Sequence, residues 1–280
     1  MQNEPEEKPE DMNDLRRVSN MINNYSVTCS EKADKRYLFK IKVVWLSIIT
    51  LFSVLATFVF CVLWTILFKL EDATSTHCGY RTKNYLPTIS TAVGNYPVQR
   101  FLWTLVIIAH SPVRLIVVGI YYQYYTSIIK PSLHWCVILL RFLTTVEVFS
   151  LVVLSIFTSS NNYSIHEKSF MTFICASELN MLISSILLKK GRITITVMTK
   201  LEVRSLKYKI CFTAFNMISF AIAGYCFLRH NNYCESGVYT LFALFEYLVV
   251  LSNMAFHLTA VWDLSSVSLV LDDDLNLSYR

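Results

Sequence analysis

The run "VVWLSIITLFSVLATFVFCVLWTILF", Val43 to Phe68, holds no acidic or basic side chain. A helix needs about 20 mostly apolar residues to cross a hydrocarbon core about 30 Å thick, and this run exceeds that length. It is also longer than the core of a signal peptide and follows a polar stretch over residues 1–42, so it reads as a retained membrane span.

Five further stretches meet the same criterion: Phe101 to Tyr125, Cys136 to Phe157, Ser169 to Leu188, Ile210 to Leu228 and Val238 to Trp262. The whole chain agrees, with 54% apolar and only 16% charged residues and a mean hydropathy of +0.44. In lipid every backbone N–H and C=O must be satisfied internally, which leaves helices as the spanning element for runs of this length. The expected fold is all-α, a polytopic membrane protein built as a six-helix transmembrane bundle. Residues 43–263 form the membrane domain, flanked by tails at 1–42 and 264–280. Residues 1–36, rich in Glu, Asp and Asn, read as disordered.

Basic residues set the orientation. Lys32, Lys35, Arg36, Lys40 and Lys42 precede the first span, and Lys189, Lys190, Arg192, Lys200, Arg204, Lys207 and Lys209 lie between the fourth and fifth. The positive-inside rule places both groups in the cytosol, and with six spans both termini are cytosolic, including Asp272 to Asp274. The basic connection reads as topogenic charge before it reads as a lipid-binding surface.

The "RHNNYCE" segment, Arg229 to Glu235, then falls in a luminal loop between spans five and six. Of eight cysteines, Cys61, Cys136, Cys175, Cys211 and Cys226 lie in or beside spans, where a thiol serves as a small apolar filler, and Cys29 lies in the cytosolic tail. Cys78 and Cys234 remain, both on the oxidising side, and a disulfide between their loops is the economical reading. A metal site built from His77, Cys78, His166, His230 and Cys234 is the rival. No Cys-x-x-Cys pair or His-Glu-x-x-His helix supports it, so neither a metal nor another cofactor is expected.

Ionisable groups inside a bilayer must face protein, water or a partner. His110 and Arg114 are one helical turn apart on span two, with Pro112 between them as an expected kink. Span three carries Arg141 and Glu147, and span four carries Glu178. On span six Tyr239, Glu246, Asn253 and His257 fall in one stripe. At 1.5 Å per residue His110, Glu147, Glu178 and Glu246 come out near mid-membrane, and Arg114 with Glu147 is the natural ion pair. With six glycines and no Gly-x-x-x-Gly, this polarity points to an interior cavity more than to tight helix-helix glue, although Ser and Ala also serve as small residues.

The segments "THCG" at Thr76 to Gly79, "NYLPTIS" at Asn84 to Ser90, "AHSPVR" at Ala109 to Arg114, "IHE" at Ile165 to Glu167, and above all Arg229 to Asp263, resemble the Post-GPI attachment to proteins factor 2 family. "YRTK" at Tyr80 to Lys83 departs from that pattern as an insertion, and the N-terminal tail is longer than the family norm. The resemblance implies a multi-pass protein of the Golgi membrane, with the endoplasmic reticulum second. Its implied role is GPI-anchor maturation: lipid remodelling in which lyso-GPI is reacylated, needed for stable surface expression of GPI-anchored proteins. Implied partners are membrane lipids, GPI-anchored proteins, and an acyl donor lipid or acyl-CoA; no nucleic acid is expected.

Two forms of that role stand, a GPI-lipid acyltransferase and its essential accessory subunit. A non-catalytic lipid-binding or sorting adaptor is the alternative, and a solute transporter is less favoured because Pro112 has no proline counterpart in span five. Acyl transfer wants a general base, and the candidates are His77, His166, His230 and Glu235 at the luminal face and His110 and Glu147 deeper in. No Gly-x-Ser-x-Gly elbow or Ser-His-Asp order names a nucleophile. Arg229, His230 and Glu235 are expected to meet the headgroup, with Arg114, Glu246, Asn253 and His257 meeting lipid within the membrane. "NYS" at Asn162 to Ser164 is a glycosylation sequon beside a span end and is expected to stay mostly unmodified.

Overall fold

The computed structural model describes residues 37–79, 82–193, 198–272 and 277–279. The expectations for residues 1–36 (with Cys29, Lys32, Lys35 and Arg36), for Tyr80 and Arg81 of the insertion, and for Asp273 and Asp274 lie outside them. Two compact units are present, residues 42–267 and the two flanking segments taken together.

The larger unit holds six helices long and apolar enough to cross a membrane. These are α1 (Val43–Phe68), α4 (Pro97–Ile128), α5 (His134–Ile156, entered through a 3-10 turn at Pro131–Leu133), α6 (Tyr163–Lys190), α7 (Lys200–Tyr233) and α8 (Val238–Leu258). Short helices α2 (Leu70–Ala73), α3 (Ile89–Gly94) and α9 (Ala260–Asp263) complete it. The chain is a multi-pass membrane protein.

Helices α4, α6 and α7 outrun their greasy cores at both ends, because polar ends continue the helix into the interface. The largest difference is in α7, which starts ten residues before Ile210, at Lys200, and ends at Tyr233. Its start is fixed by a capping box: Thr199 Oγ1 accepts from Glu202 N at 3.2 Å, and Thr199 N donates to Glu202 Oε2 at 2.8 Å. Arg229 to Tyr233 are therefore helical, and the luminal loop inferred from sequence shrinks to Cys234–Gly237. Cys234 closes α7 in a left-handed conformation at φ 49°, and Gly237 opens α8 at φ 80°, a region that only glycine enters without strain. Helix α4 runs unbroken through Pro112. Asn162 caps α6, its Oδ1 accepting from Ile165 N at 3.2 Å, so the sequon asparagine is occupied as a helix cap.

Consecutive spans pack on one another, and α8 with α9 returns to α1. Apolar residues such as Trp45, Phe52, Phe101, Ile138, Phe142, Ile218 and Leu228 stay exposed, as helices bathed in lipid require. Helix α6 is the most enclosed span, and its buried face carries Ser169, Ala176, Ser177, Asn180, Ser184 and Ser185. Serine and alanine thus supply the close packing that the scarcity of glycine left open. Of the free thiols, Cys61 and Cys226 are buried fillers as expected, whereas Cys175 and Cys211 are exposed on the lipid-facing surface.

The other unit, where described, is a three-stranded sheet in the order β1 (Tyr37–Lys42), β2 (Ser268–Asp272), β3 (Leu277–Tyr279). Strand β2 pairs antiparallel with β3, Val270 opposite Ser278. Strands form here because "YLFKIK", at the end of the N-terminal tail expected to be disordered, carries the alternation of a strand and "SLVLD" is rich in strand-forming residues.

Candidate functional site

Two polar zones occupy opposite ends of the bundle. At one end the connection between α1 and α4 folds over the helices. Cys78 and Cys234 are joined by a disulfide with Cα atoms 5.5 Å apart, closing a sequence separation of 156. Tyr85 N donates to Thr240 Oγ1 at 2.9 Å, Gly237 N to Lys83 O at 3.1 Å and Tyr247 Oη to Pro87 O at 2.6 Å. Ile89 N, at the start of α3, donates to the buried Glu246 carboxylate at 3.1 Å. Glu246 is therefore spent on holding this cap and is not an open lining for acyl chains.

His166 is likewise committed. Its Nδ1 lies 2.9 Å from Phe157 O, which can only accept, so Nε2 takes the Ser90 hydroxyl proton at 3.0 Å. His230 is fully buried, with Nε2 3.2 Å from Thr76 Oγ1, and does not reach the surface beside Arg229. The reason is helical geometry: α7 continues through this segment, so successive side chains point to different faces. Arg229 and Glu235 are exposed and form a two-pronged pair at 2.6 and 2.9 Å, which holds the Glu235 carboxyl below its ordinary range. His77 is exposed and lines a shallow recess with Thr76, Tyr163, Asn231 and Tyr239. His77, Cys78 and Cys234 could bring ligand atoms within 4.8 Å of one another, but the two sulfurs are bonded together and are not the thiolates a zinc site uses. On the same side Tyr96 Oη donates to Asp72 Oδ2 at 3.0 Å, and burial with this bond pushes its hydroxyl up to about 12.

The other zone is a cavity of about 90 Å³ lined from α1, α4, α5, α6, α7 and α8. Ser47, His110, Arg114, Tyr121, Lys209 and His257 line it. Arg114 Nη2 donates to Glu147 Oε1 at 2.9 Å, as the depth argument anticipated. His257 Nε2 lies 3.0 Å from that same oxygen and 2.9 Å from Arg114 Nη2. One ring nitrogen cannot donate to the carboxylate and accept from the guanidinium together, so this trio has two proton arrangements. Glu147 is fully buried and its Oε2 has no hydrogen-bond partner; nor has Ser47 Oγ, also buried. His110 Nδ1 lies 2.8 Å from Ile107 O, so Nδ1 carries the proton and Nε2 a lone pair.

Sequence reasoning missed the second half of this zone. Lys209, counted among the topogenic charges, is buried, and its Nζ bonds Asp263, Thr259 Oγ1 at 2.6 Å and Ser205 Oγ at 3.2 Å. Tyr121 Oη donates to the same Asp263 at 2.8 Å. The signal was the Ser205, Lys209, Thr213 spacing on one face, readable once α7 is extended to Lys200. Asn253 bonds Ser177 on α6 and acts as helix-helix glue. Arg141 is exposed, over the Tyr122 ring at 4.9 Å, and Glu178 is half-buried with neither carboxylate oxygen bonded.

The model of the Frag1/DRAM/Sfk1/Cwh43P N-terminal domain family matches residues 42–267, which is the whole membrane unit. The chain belongs to this family. Within the Frag1/DRAM/Sfk1/Cwh43P group it is similar to Post-GPI attachment to proteins factor 2 of Drosophila melanogaster, 44% identical over 238 residues, covering 85% of this chain and 92% of the relative. It is similar also to Acyltransferase PGAP2 of Xenopus tropicalis, 37% identical over 237 residues, 84% of this chain and 92% of that one. Post-GPI attachment to proteins factor 2 of Caenorhabditis elegans is 38% identical over 218 residues, 75% and 81% of the two chains. No solved structure matches.

Proposed function

We propose that this protein acts in GPI-anchor lipid remodelling as the acyltransferase that reacylates lyso-GPI, in the Golgi membrane and secondarily in the endoplasmic reticulum, with both tails cytosolic. Relatives named as Post-GPI attachment factors and as an acyltransferase support the reading. The observation that carries it is His110: a histidine with its tautomer fixed by Ile107 O, lining a largely apolar cavity in the bundle.

In this mechanism the free hydroxyl of the lyso-lipid gives its proton to His110 Nε2 as its oxygen bonds the donor carbonyl carbon. The bond from that carbon to the leaving group then breaks, and the proton passes to the leaving group. General base catalysis of this kind contributes about 10²- to 10⁴-fold. The developing oxyanion would be met by Ser47 Oγ, the unpartnered donor in the cavity, and by Arg114, which lies one turn from His110 on the same face. Glu147 and His257 orient the Arg114 guanidinium. The recess beside His77 and the exposed Arg229 would receive the outer sugars of the glycan at the disulfide end.

The test is transfer of a labelled acyl chain to lyso-GPI by the purified full chain in lipid vesicles. His110→Gln is expected to lose at least about 100-fold in turnover with the disulfide intact and the protein abundant. Full activity in that variant would remove His110 as the base, and wild-type protein that binds lyso-GPI without transferring acyl chains would make it a lipid-binding subunit.

A further inference from the structure

We propose that the acyl donor is an acyl-CoA thioester, seated with its phosphates on the basic start of α7 and its thioester end in the cavity. The inference rests on the acyl-transfer reading above.

Three observations converge. First, the cavity is confined to one half of the bundle, reached by the start of α1 (Ser47), the end of α4 (Tyr121, Tyr125), the start of α7 (Lys209) and the end of α8 (His257). That half ends in exposed Lys130, Lys189, Lys190, Lys200, Arg204 and Lys207. Second, the basic segment is fastened to the cavity wall. Glu202 Oε1 accepts from Tyr124 Oη at 2.8 Å and from Arg192 Nη2 at 3.1 Å, and Tyr124 neighbours the lining residue Tyr125. Lys200, Arg204 and Lys207 precede the lining Lys209 on one helix, and Lys200 is about 14 Å away at 1.5 Å per residue. A topogenic role accounts for the excess of positive charge but not for its attachment to this wall. Third, the opposite end is closed by the disulfide and by the bonds of Ile89, Tyr85 and Tyr247 to α8.

A donor approaching from the basic end needs an apolar chain for the Val- and Tyr-lined interior and a multiply charged anionic group for the lysines and arginine. An acyl-CoA has both, whereas a zwitterionic phospholipid carries no net charge to the same surface. His110 sits 13 residues into α4, about 20 Å from its disulfide-side start, so the thioester would be presented near the middle of the helix. Atoms balance without a redox step. The acceptor oxygen bonds the thioester carbon, the C–S bond breaks, and the thiolate takes the proton held by His110, giving an ester and free coenzyme thiol.

Vesicles containing the purified full chain and lyso-GPI would be given either stearoyl-CoA or phosphatidylcholine bearing the same labelled chain. Label transfer from stearoyl-CoA, with one thiol released per ester formed, is the expected result. The triple variant Lys200→Gln, Arg204→Gln, Lys207→Gln is expected to raise KM for stearoyl-CoA about tenfold at unchanged kcat, a gap that narrows as salt is added. Lys189 and Lys190 remain to hold the orientation, and an intact disulfide on a non-reducing gel reports the fold. Transfer from phosphatidylcholine but not from stearoyl-CoA would overturn the donor assignment and leave the acyltransferase reading standing, whereas transfer from stearoyl-CoA with KM unmoved in the triple variant would overturn the seat on α7. Transfer from neither would overturn both.

Discussion

At the scale of single residues, the membrane turns each buried charge into a constraint on its neighbours. Lys209 and Asp263 are both nearly inaccessible, and removing one partner leaves the other as an uncompensated charge in a low-dielectric interior. Lys209→Met alone is expected to destabilise the protein by about 3–5 kcal/mol in detergent unfolding, with most of that recovered when Asp263→Leu is added. A double variant that loses as much as the two single variants added together would mean the pair is not energetically coupled. The exposed Arg229 and Glu235 pair behaves oppositely. Glu235 is held below its usual range, so what the pair contributes is present at neutral pH and lost as pH falls through the lowered value. Exposed pairs contribute little, so the melting temperatures of wild type and Glu235→Gln should differ slightly at pH 7 and converge only as pH falls below the ordinary carboxylate range. Of these contacts, Arg114 with Glu147 was legible from sequence because depth along two apolar helices can be counted. Lys209 with Asp263 was not: hydropathy sees a lysine in a basic run and cannot see which turn faces inward.

At the scale of elements, the six spans could be read to within a few residues at their apolar cores, while the ends could not. Charged turns such as Lys200 to Lys209 lower the hydropathy without ending the helix, so α7 looked half as long as it is. The same error opened "RHNNYCE" into a loop and set His230 beside Arg229, when one is buried and the other exposed. The capping box at Thr199 is what commits the charged turn to helix. Thr199→Ala should cost about 1 kcal/mol of stability. Because Glu202 also holds Tyr124 and Arg192, the variant should speed amide exchange in residues 200–206 far more than in the middle of α7. Uniform exchange along the helix in wild type and variant would show that the cap does not fix this end. At the other end Gly237 carries φ 80°, and Gly237→Ala should destabilise by about 1 kcal/mol through backbone strain alone, since no atom lies within 4 Å of the added methyl position.

For the whole molecule, the bundle is polarised: a disulfide-braced cap closes one end, and basic connections flank the cavity at the other. The pairing of Cys78 with Cys234 was legible by elimination of the cysteines in spans, and the polarity by counting lysines and arginines; the depth at which His110 meets the cavity needed coordinates. Cys78→Ser and Cys234→Ser should each lower stability by about 2–5 kcal/mol, and the double variant by no more than either, because both remove one bond. The two ends also make opposite predictions in sealed microsomes. If both tails and the basic connection face the cytosol, protease added outside should remove tags from both termini and cleave near Lys200, while a membrane-impermeant reductant should leave the Cys78–Cys234 bond intact until the vesicles are opened. Reduction of that bond from outside, or protection of either tag, would invert or break the proposed orientation. If the donor is an acyl-CoA seated on the basic turns as proposed, the same result decides from which compartment it must come.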